Sequence, residues 1–235
     1  MQDFSAAFGL AFSLIIGADA DLIEIIALSL RVSISAVLLS ALIGFPLGAL
    51  IAVARFPGRQ VAAVILNALM GLPPVVVGLL VYMAISRAGP LGWMNLLYTP
   101  AAMIIAQTIL VTPIIAALTR QVVEDMHKEY DEQFRSLCIA PQRVIAALIW
   151  DSRYSLLTVT LAGFGRAIAE VGAVIIVGGN IDHLTRVMTT AIALETSRGD
   201  LALALALGII LLILALSVNA AVYGLRSSAR RLAYA

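Results

Sequence analysis

Five stretches of this chain, at about residues 22–54, 60–86, 98–118, 155–178 and 201–225, are apolar over the whole length needed to cross a membrane. A helix bridges a bilayer core of about 30 Å with roughly 20 residues at 1.5 Å each, and every stretch reaches that length. A backbone in hydrocarbon must satisfy its own N–H and C=O groups, so only helices or a closed barrel are open to it. Barrels are written as short segments of alternating polarity, and the sequence holds no such series. The expectation is an all-α, polytopic membrane helix bundle of about five transmembrane helices, forming a single domain over residues 1–235. Composition fits, with 62% apolar and 12% charged residues, where soluble domains carry about half and a quarter.

The separators hold residues that end helices. Arg55-Phe56-Pro57-Gly58-Arg59 is a short basic turn, Arg87-Ala88-Gly89-Pro90-Leu91-Gly92 is a Gly/Pro break, and Gly178-Gly179-Asn180 closes the fourth stretch. Lys and Arg collect in cytoplasmic loops. With the N-terminus outside and the C-terminus inside, the inner segments hold Arg55, Arg59, Arg120, Lys128, Arg135, Arg143, Arg153, Arg226, Arg230 and Arg231, ten of the fifteen basic residues. Arg87, Arg186 and Arg198 then lie outside, and Arg31 and Arg166 fall within spans. The N-terminal apolar run lacks the basic opening of a secretory leader. It is too short to span comfortably, so residues 1–20 are expected to lie as a helix in the membrane interface. A single cysteine, Cys138, excludes an intramolecular disulfide, and a net charge of +1 offers no footprint for nucleic acid.

The longest polar interruption, residues 120–153, thus faces the cytoplasm. Its charged residues interleave with Val122, Val123, Met126 and Phe134 in a helix-compatible pattern, and Pro141 divides it into two short helices. Glu132 gives such a helix a polar handle, while Phe134, Leu137 and Ile139 supply knobs for a partner's groove. The plainer alternative is a solvated polar face. The layout Tyr130-Asp131-Glu132-Gln133-Phe134-Arg135-Ser136-Leu137-Cys138-Ile139-Ala140-Pro141 resembles the coupling segment of ABC-importer permeases. There an acidic residue, followed by small residues, leads six positions on to a glycine turn and a second helix. Glu132 takes the acidic position and Cys138 that of the glycine. Gln133 and Phe134 replace the usual alanines, and Trp150-Asp151 stands where a leucine-proline pair is common. The resemblance implies that Glu132, Phe134, Leu137, Cys138, Ile139, Ala140 and Pro141 couple the chain to a separate ATPase.

Charge inside a span costs about 2.5–3.5 kcal/mol on insertion scales and therefore faces protein or water. Arg166 and Glu170 are four residues apart and share a helical face. They form either an ion pair that only stabilises packing or part of a gated path. Pro73 and Pro74, inside the second stretch, read as a packing kink or a gate hinge. Thr108, Thr112 and Thr158 can offer hydroxyls to a dehydrated oxyanion, or bond their own helix backbone. The run at 162–180, with Gly163-Phe164-Gly165-Arg166-Ala167-Ile168-Ala169-Glu170-Val171-Gly172 inside it, is followed by Thr185-Arg186-Val187-Met188-Thr189-Thr190. It resembles the oxyanion-importer permeases for molybdate, sulfate and especially tungstate. The continuation Ala193-Leu194-Glu195-Thr196-Ser197-Arg198-Gly199-Asp200 is most similar to the tungstate type.

That resemblance covers the chain from first span to last. It implies the permease subunit of a binding-protein-dependent tungstate importer working by alternating access, with molybdate or sulfate as alternative cargo. It also implies a homodimer in the lipid of a bacterial or archaeal cytoplasmic membrane, an extracytoplasmic tungstate-binding protein, and two cytoplasmic ATPase subunits that hold the ATP and Mg. No cofactor is expected on this chain itself, which lacks a Gly-x-x-x-x-Gly-Lys-Ser/Thr phosphate loop. Ser/His/Asp, His-Glu-x-x-His and Cys-x-x-Cys patterns are missing too, so the chain reads as a transport subunit, not an enzyme. His127 and His183 fall on opposite sides of the membrane and share no metal site. No further domain is expected after Arg231. The alternative from another class is a membrane scaffold that transports nothing. An ion-driven transporter is disfavoured by a single acidic residue within the spans and no inverted repeat.

Overall fold

A computed structural model describes residues 8, 9, 12, 13, 17 and 20–233. Over residues 20–233 nine α-helices follow in order: α1 Ala20–Val53, α2 Arg59–Leu69, α3 Pro74–Ile85, α4 Pro100–Ser136, α5 Pro141–Asp151, α6 Arg153–Ile168, α7 Gly172–Gly178, α8 Met188–Arg198 and α9 Leu201–Ala233, with a 3-10 turn at Gly92–Met94. No strand occurs among the described residues. The interfacial helix expected over residues 1–20 lies for the most part outside them.

Three helices, α1, α4 and α9, are long and apolar enough to cross a membrane unbroken, and two bent pairs bring the spans to as many as five. The all-α bundle is as expected, but two apolar stretches are not simple spans. The second turns by 97° between α2 and α3. Pro73 is the N-cap of α3 and Pro74 its first residue, where a missing N–H leaves no hydrogen bond unmade. The prolines therefore start a helix at a corner instead of bending one. The fourth stretch divides into α6 and α7 across residues 169–171.

Helices α1 and α4 form the central pair. A Cβ on Gly48 would lie 2.3 Å from the Ala116 carbonyl oxygen, and one on Gly44 2.8 Å from Ile115 Cγ2. Backbones approach this closely only where small residues meet, the usual device of helix pairs in lipid. Val37, Ala41, Val111 and Ile115 continue that seam into a core with Leu156, Val159, Phe164 and Ala167 of α6. Helix α3 crosses α7 in the same manner, since a Cβ on Gly78 would meet Ala173 Cα at 2.8 Å. Around that crossing Val77, Val81, Val174 and Val177 pack on Met103 of α4. Leu38 and Leu42 of α1, Leu80 of α3, and Leu212 and Leu216 of α9 point outward, as befits a chain solvated by lipid.

Helix α4 has 37 residues and is thus about 55 Å long at 1.5 Å per residue, against about 30 Å of hydrocarbon. The front half of the polar interruption is accordingly the continuation of a span, and the rod extends well past the apolar bundle before it turns.

Candidate functional site

The rod ends in a tight reversal. Cys138 takes a left-handed φ of 50°, its N–H bonds the Arg135 carbonyl at 3.1 Å, and the Ile139 N–H bonds the Phe134 carbonyl at 3.1 Å. These two bonds close a Schellman motif, whose left-handed position glycine ordinarily fills. The turn that the sequence assigned to a glycine-like position is therefore present, with a cysteine in it. Ala140 caps α5 and Pro141 opens it. Phe134 and Ile139 turn inward onto Ala52, Val53, Val123, Val144 and Leu148. Leu137 projects with 70% of its surface exposed, and Glu132, Cys138, Ala140 and Pro141 are exposed beside it. Glu132 has no hydrogen-bond or ion-pair partner among the described residues. The reversal thus anchors itself with two apolar side chains and leaves the other five residues exposed.

Two carboxylates not singled out by the sequence organise this end of the molecule. Asp131 meets Arg135 at 2.6 Å, His127 at 3.7 Å and Arg55 at 3.8 Å. Glu124 meets Arg59 at 3.3 Å and also pairs with Arg120. The pairs Arg120–Glu124 and Asp131–Arg135 were readable as i,i+4 neighbours on a helix. The contacts from Arg55 and Arg59 needed the fold. Between these elements lies a cleft of about 380 Å³ lined by Val53, Arg55, His127, Asp131, Phe134 and Cys138.

The second locus is the break between α6 and α7. Arg166 Nη1 donates to Glu170 Oε2 at 2.7 Å, and Glu170 is only 4% exposed. Its Oε1 accepts the Ala173 N–H at 3.2 Å, and its carbonyl accepts the Thr189 hydroxyl at 2.8 Å. The carboxylate therefore serves the positive N-terminal end of α7 as well as the arginine. Gln107 of α4 donates to the Ala167 carbonyl at 3.1 Å, which also accepts the Glu170 N–H at 3.2 Å where α6 ends. The Gln107 Oε1 is buried without a partner, beside a small cavity that Ser29, Ser33, Glu170 and Thr189 also line. Gln107 was missed from sequence, although it is the one side-chain amide in its apolar stretch and such residues mark contacts between helices in lipid.

The Pro73–Pro74 corner comes to this break. A Cβ on Gly172 would lie 2.9 Å from Val75 Cγ2 and 3.6 Å from Glu170 Oε1. The threonines are placed differently. Thr108 donates to the Ile104 carbonyl and Thr112 to that of Thr108, each at 2.7 Å, so both hydroxyl protons are engaged on their own helix. Thr158 is on the exposed face of α6.

At the opposite end of α1 from the Arg–carboxylate pairs, His183 Nδ1 and Glu24 Oε2 are 2.8 Å apart, and Asp21 lies close enough for the three to offer ligand atoms within 4.8 Å of one another. Sequence spacing alone did not bring these residues together. All three are exposed. The hydrogen bond to Glu24 is the main cause of a raised His183 pKa, followed by the charges of Glu24, Asp182 and Asp21, with burial opposing.

The family described as binding-protein-dependent transport system inner membrane component matches this chain over residues 44–231. The chain is 40% identical over 226 residues to the tungstate uptake system permease protein of Peptoclostridium acidaminophilum, covering 96% of this chain and 99% of that one. It is 41% identical over 204 residues to a probable anion ABC transporter permease protein of Haloferax volcanii, with 85% and 88% covered. The tungstate uptake system permease protein of Campylobacter jejuni is 37% identical over 172 residues, with 73% and 72% covered.

Proposed function

This chain belongs to the family of binding-protein-dependent transport system inner membrane components, and from that premise we propose that it is the permease subunit of an ATP-driven tungstate importer that works by alternating access. The names of two relatives support tungstate as the cargo. The observation that carries the coupling mechanism is α4, one unbroken helix from Pro100 to Ser136 that ends in an exposed reversal.

In this reading residues 1–235 form one permease domain in a bacterial or archaeal cytoplasmic membrane. Two copies enclose the path on their two-fold axis, as closed symmetry favours. Two cytoplasmic ATPase subunits, holding ATP and Mg, engage Glu132, Leu137, Cys138, Ala140 and Pro141, while Phe134 and Ile139 hold the reversal in shape. An extracytoplasmic binding protein delivers the anion. Closure of the ATPase pair draws the two reversals together and opens the path outward, and hydrolysis resets it.

A dianion that must leave as well as enter needs hydrogen-bond donors more than a deep cationic well. Arg166, with Glu170 at 2.7 Å, suits a hinge at the α6–α7 break, next to the Pro73–Pro74 corner, better than a direct anion ligand. Thr158 lies on the exposed face of α6. Thr108 and Thr112 become donors only by releasing the carbonyls they now hold.

The test is reconstitution with the partner ATPase in liposomes, measuring hydrolysis and uptake with binding protein loaded with tungstate, molybdate or sulfate. Tungstate-loaded protein is expected to stimulate both most strongly. Stronger uptake of another anion reassigns the cargo, and hydrolysis indifferent to the loaded protein, with no uptake, overturns the importer reading.

A further inference from the structure

The turn between α1 and α2 is fastened to the far end of α4 at two levels. Arg55 reaches Asp131 at 3.8 Å and Arg59 reaches Glu124 at 3.3 Å. Arg59 also donates from Nε to the Ile51 carbonyl at 2.8 Å and from Nη2 to the Ala52 carbonyl at 2.7 Å. One guanidinium therefore satisfies carbonyls orphaned at the end of α1 and grips α4 in the same stroke. Asp131 lies seven residues, about two helical turns, beyond Glu124, so both anchor points fall on one face of the rod. Arg135, His127 and Arg120 steady the two carboxylates from α4 itself.

We propose that Asp131 and Glu124 are positioning residues for coupling, which tie α1 and α2 to the rod whose tip an ATPase moves. The proposal rests on the ATPase-docking role of that tip. Without these ties, a push on the reversal is resisted by the apolar cluster of Ala52, Val53, Val123, Phe134 and Ile139, whose non-directional contacts can slide. With them, the Gly44–Gly48 seam above and the ion pairs below make α1 and α4 move together. Motion is then left to the α2–α3 corner and the α6–α7 break. The side chains of Asp131 and Glu124 are 29% and 27% exposed, and pairs this wet add little to folding stability. Their distinguishing effect is geometric, which makes it separable from folding.

The experiment compares the unaltered chain with Glu124→Gln, Asp131→Asn and the double variant, each reconstituted with the partner ATPase and loaded binding protein. Arg55→Gln cuts one tie from the loop side, and Asp131→Glu restores the charge. Co-purification with the ATPase is expected to persist. Anion taken up per ATP hydrolysed is expected to fall about tenfold in the double variant, within the usual range of coupling between distant sites. Arg55→Gln should shift the ratio in the same direction, and Asp131→Glu should recover most of it. An unchanged ratio in the double variant overturns the proposal. So does loss of co-purification, which would make the carboxylates docking residues. If the unaltered chain's ATPase ignores the binding protein, the importer reading itself fails, a result that needs no variant to recognise.

Discussion

Cys138 occupies a backbone conformation that side chains resist. At a φ of 50° an L-residue bears about 1–2 kcal/mol of strain, and glycine bears none, though its extra freedom in the unfolded chain returns roughly 0.5–1 kcal/mol. Cys138→Gly is therefore expected to raise the thermal midpoint of the detergent-purified protein slightly, and Cys138→Val, branched at Cβ, to lower it. A fall with glycine would mean that the thiol makes a contact the turn depends on. Glu170 invites a sharper comparison. Glu170→Gln keeps an acceptor for the Ala173 N–H but leaves Arg166 without its counter-charge. Breaking a fully buried pair costs about 3–5 kcal/mol, and the figure here is smaller because Arg166 is 35% exposed. Changing both partners, Arg166→Met with Glu170→Gln, removes the stranded charge. The double variant is expected to be more stable than Glu170→Gln alone in thermal melts, and equal losses would show that the charge pairing is not what holds the break.

Among the helices, the α1–α4 seam makes the strictest demand on side-chain size. A Cβ at Gly48 meets backbone, the Ala116 carbonyl oxygen at 2.3 Å, whereas one at Gly165 meets nothing within 4 Å. Gly48→Ala is expected to destabilise by about 1–3 kcal/mol, the usual cost of overpacking. Gly165→Ala should be neutral or gain up to about 1 kcal/mol from helix propensity. Thermal midpoints measured side by side decide it, and equal shifts would refute the seam's role. The same contrast shows what the sequence could reveal. Apolar length located α1, α4 and α9, because hydrocarbon thickness leaves one solution for such a run. It did not reveal that α4 continues to Ser136, since a change from apolar to polar pattern does not itself break a helix. Nor did it foresee a 97° corner at Pro73–Pro74, because Pro at a first turn and Pro in mid-helix are written alike. The Schellman turn was legible through its glycine-like position. The ties from Arg55 and Arg59 were not, for Arg59 and Glu124 are 65 residues apart and no local period links them.

Across the whole molecule, charge pairs sit at both ends of α1, those at its C-terminal end shared with the far end of α4, and Arg166–Glu170 interrupts the apolar interior. At one end the carboxylates of α4 hold the α1–α2 turn. At the other, His183 holds Glu24 of α1 at 2.8 Å, so the segment between α7 and α8 is tied to the start of the same helix. The two ties differ in kind, because arginine keeps its charge at all accessible pH values and histidine does not. The groups facing His183 are Glu24 and Asp21 from α1, and Asp182 from its own segment, which also pairs with Arg186. Their carboxylates raise the histidine's pKa above its ordinary value, so the protonated form binds α1 more tightly than the neutral one. A raised folded-state pKa contributes stability that is complete below the unfolded value of about 6.5 and is lost as pH climbs through the folded value. Hydrogen-exchange protection at residues 181–187, corrected for the intrinsic rate, should therefore decline as the pH rises through that window. His183→Gln should flatten the decline while leaving the α4 staples unaffected. A variant with the same pH slope as the unaltered chain would assign the decline to another group and sever this end of α1 from histidine control.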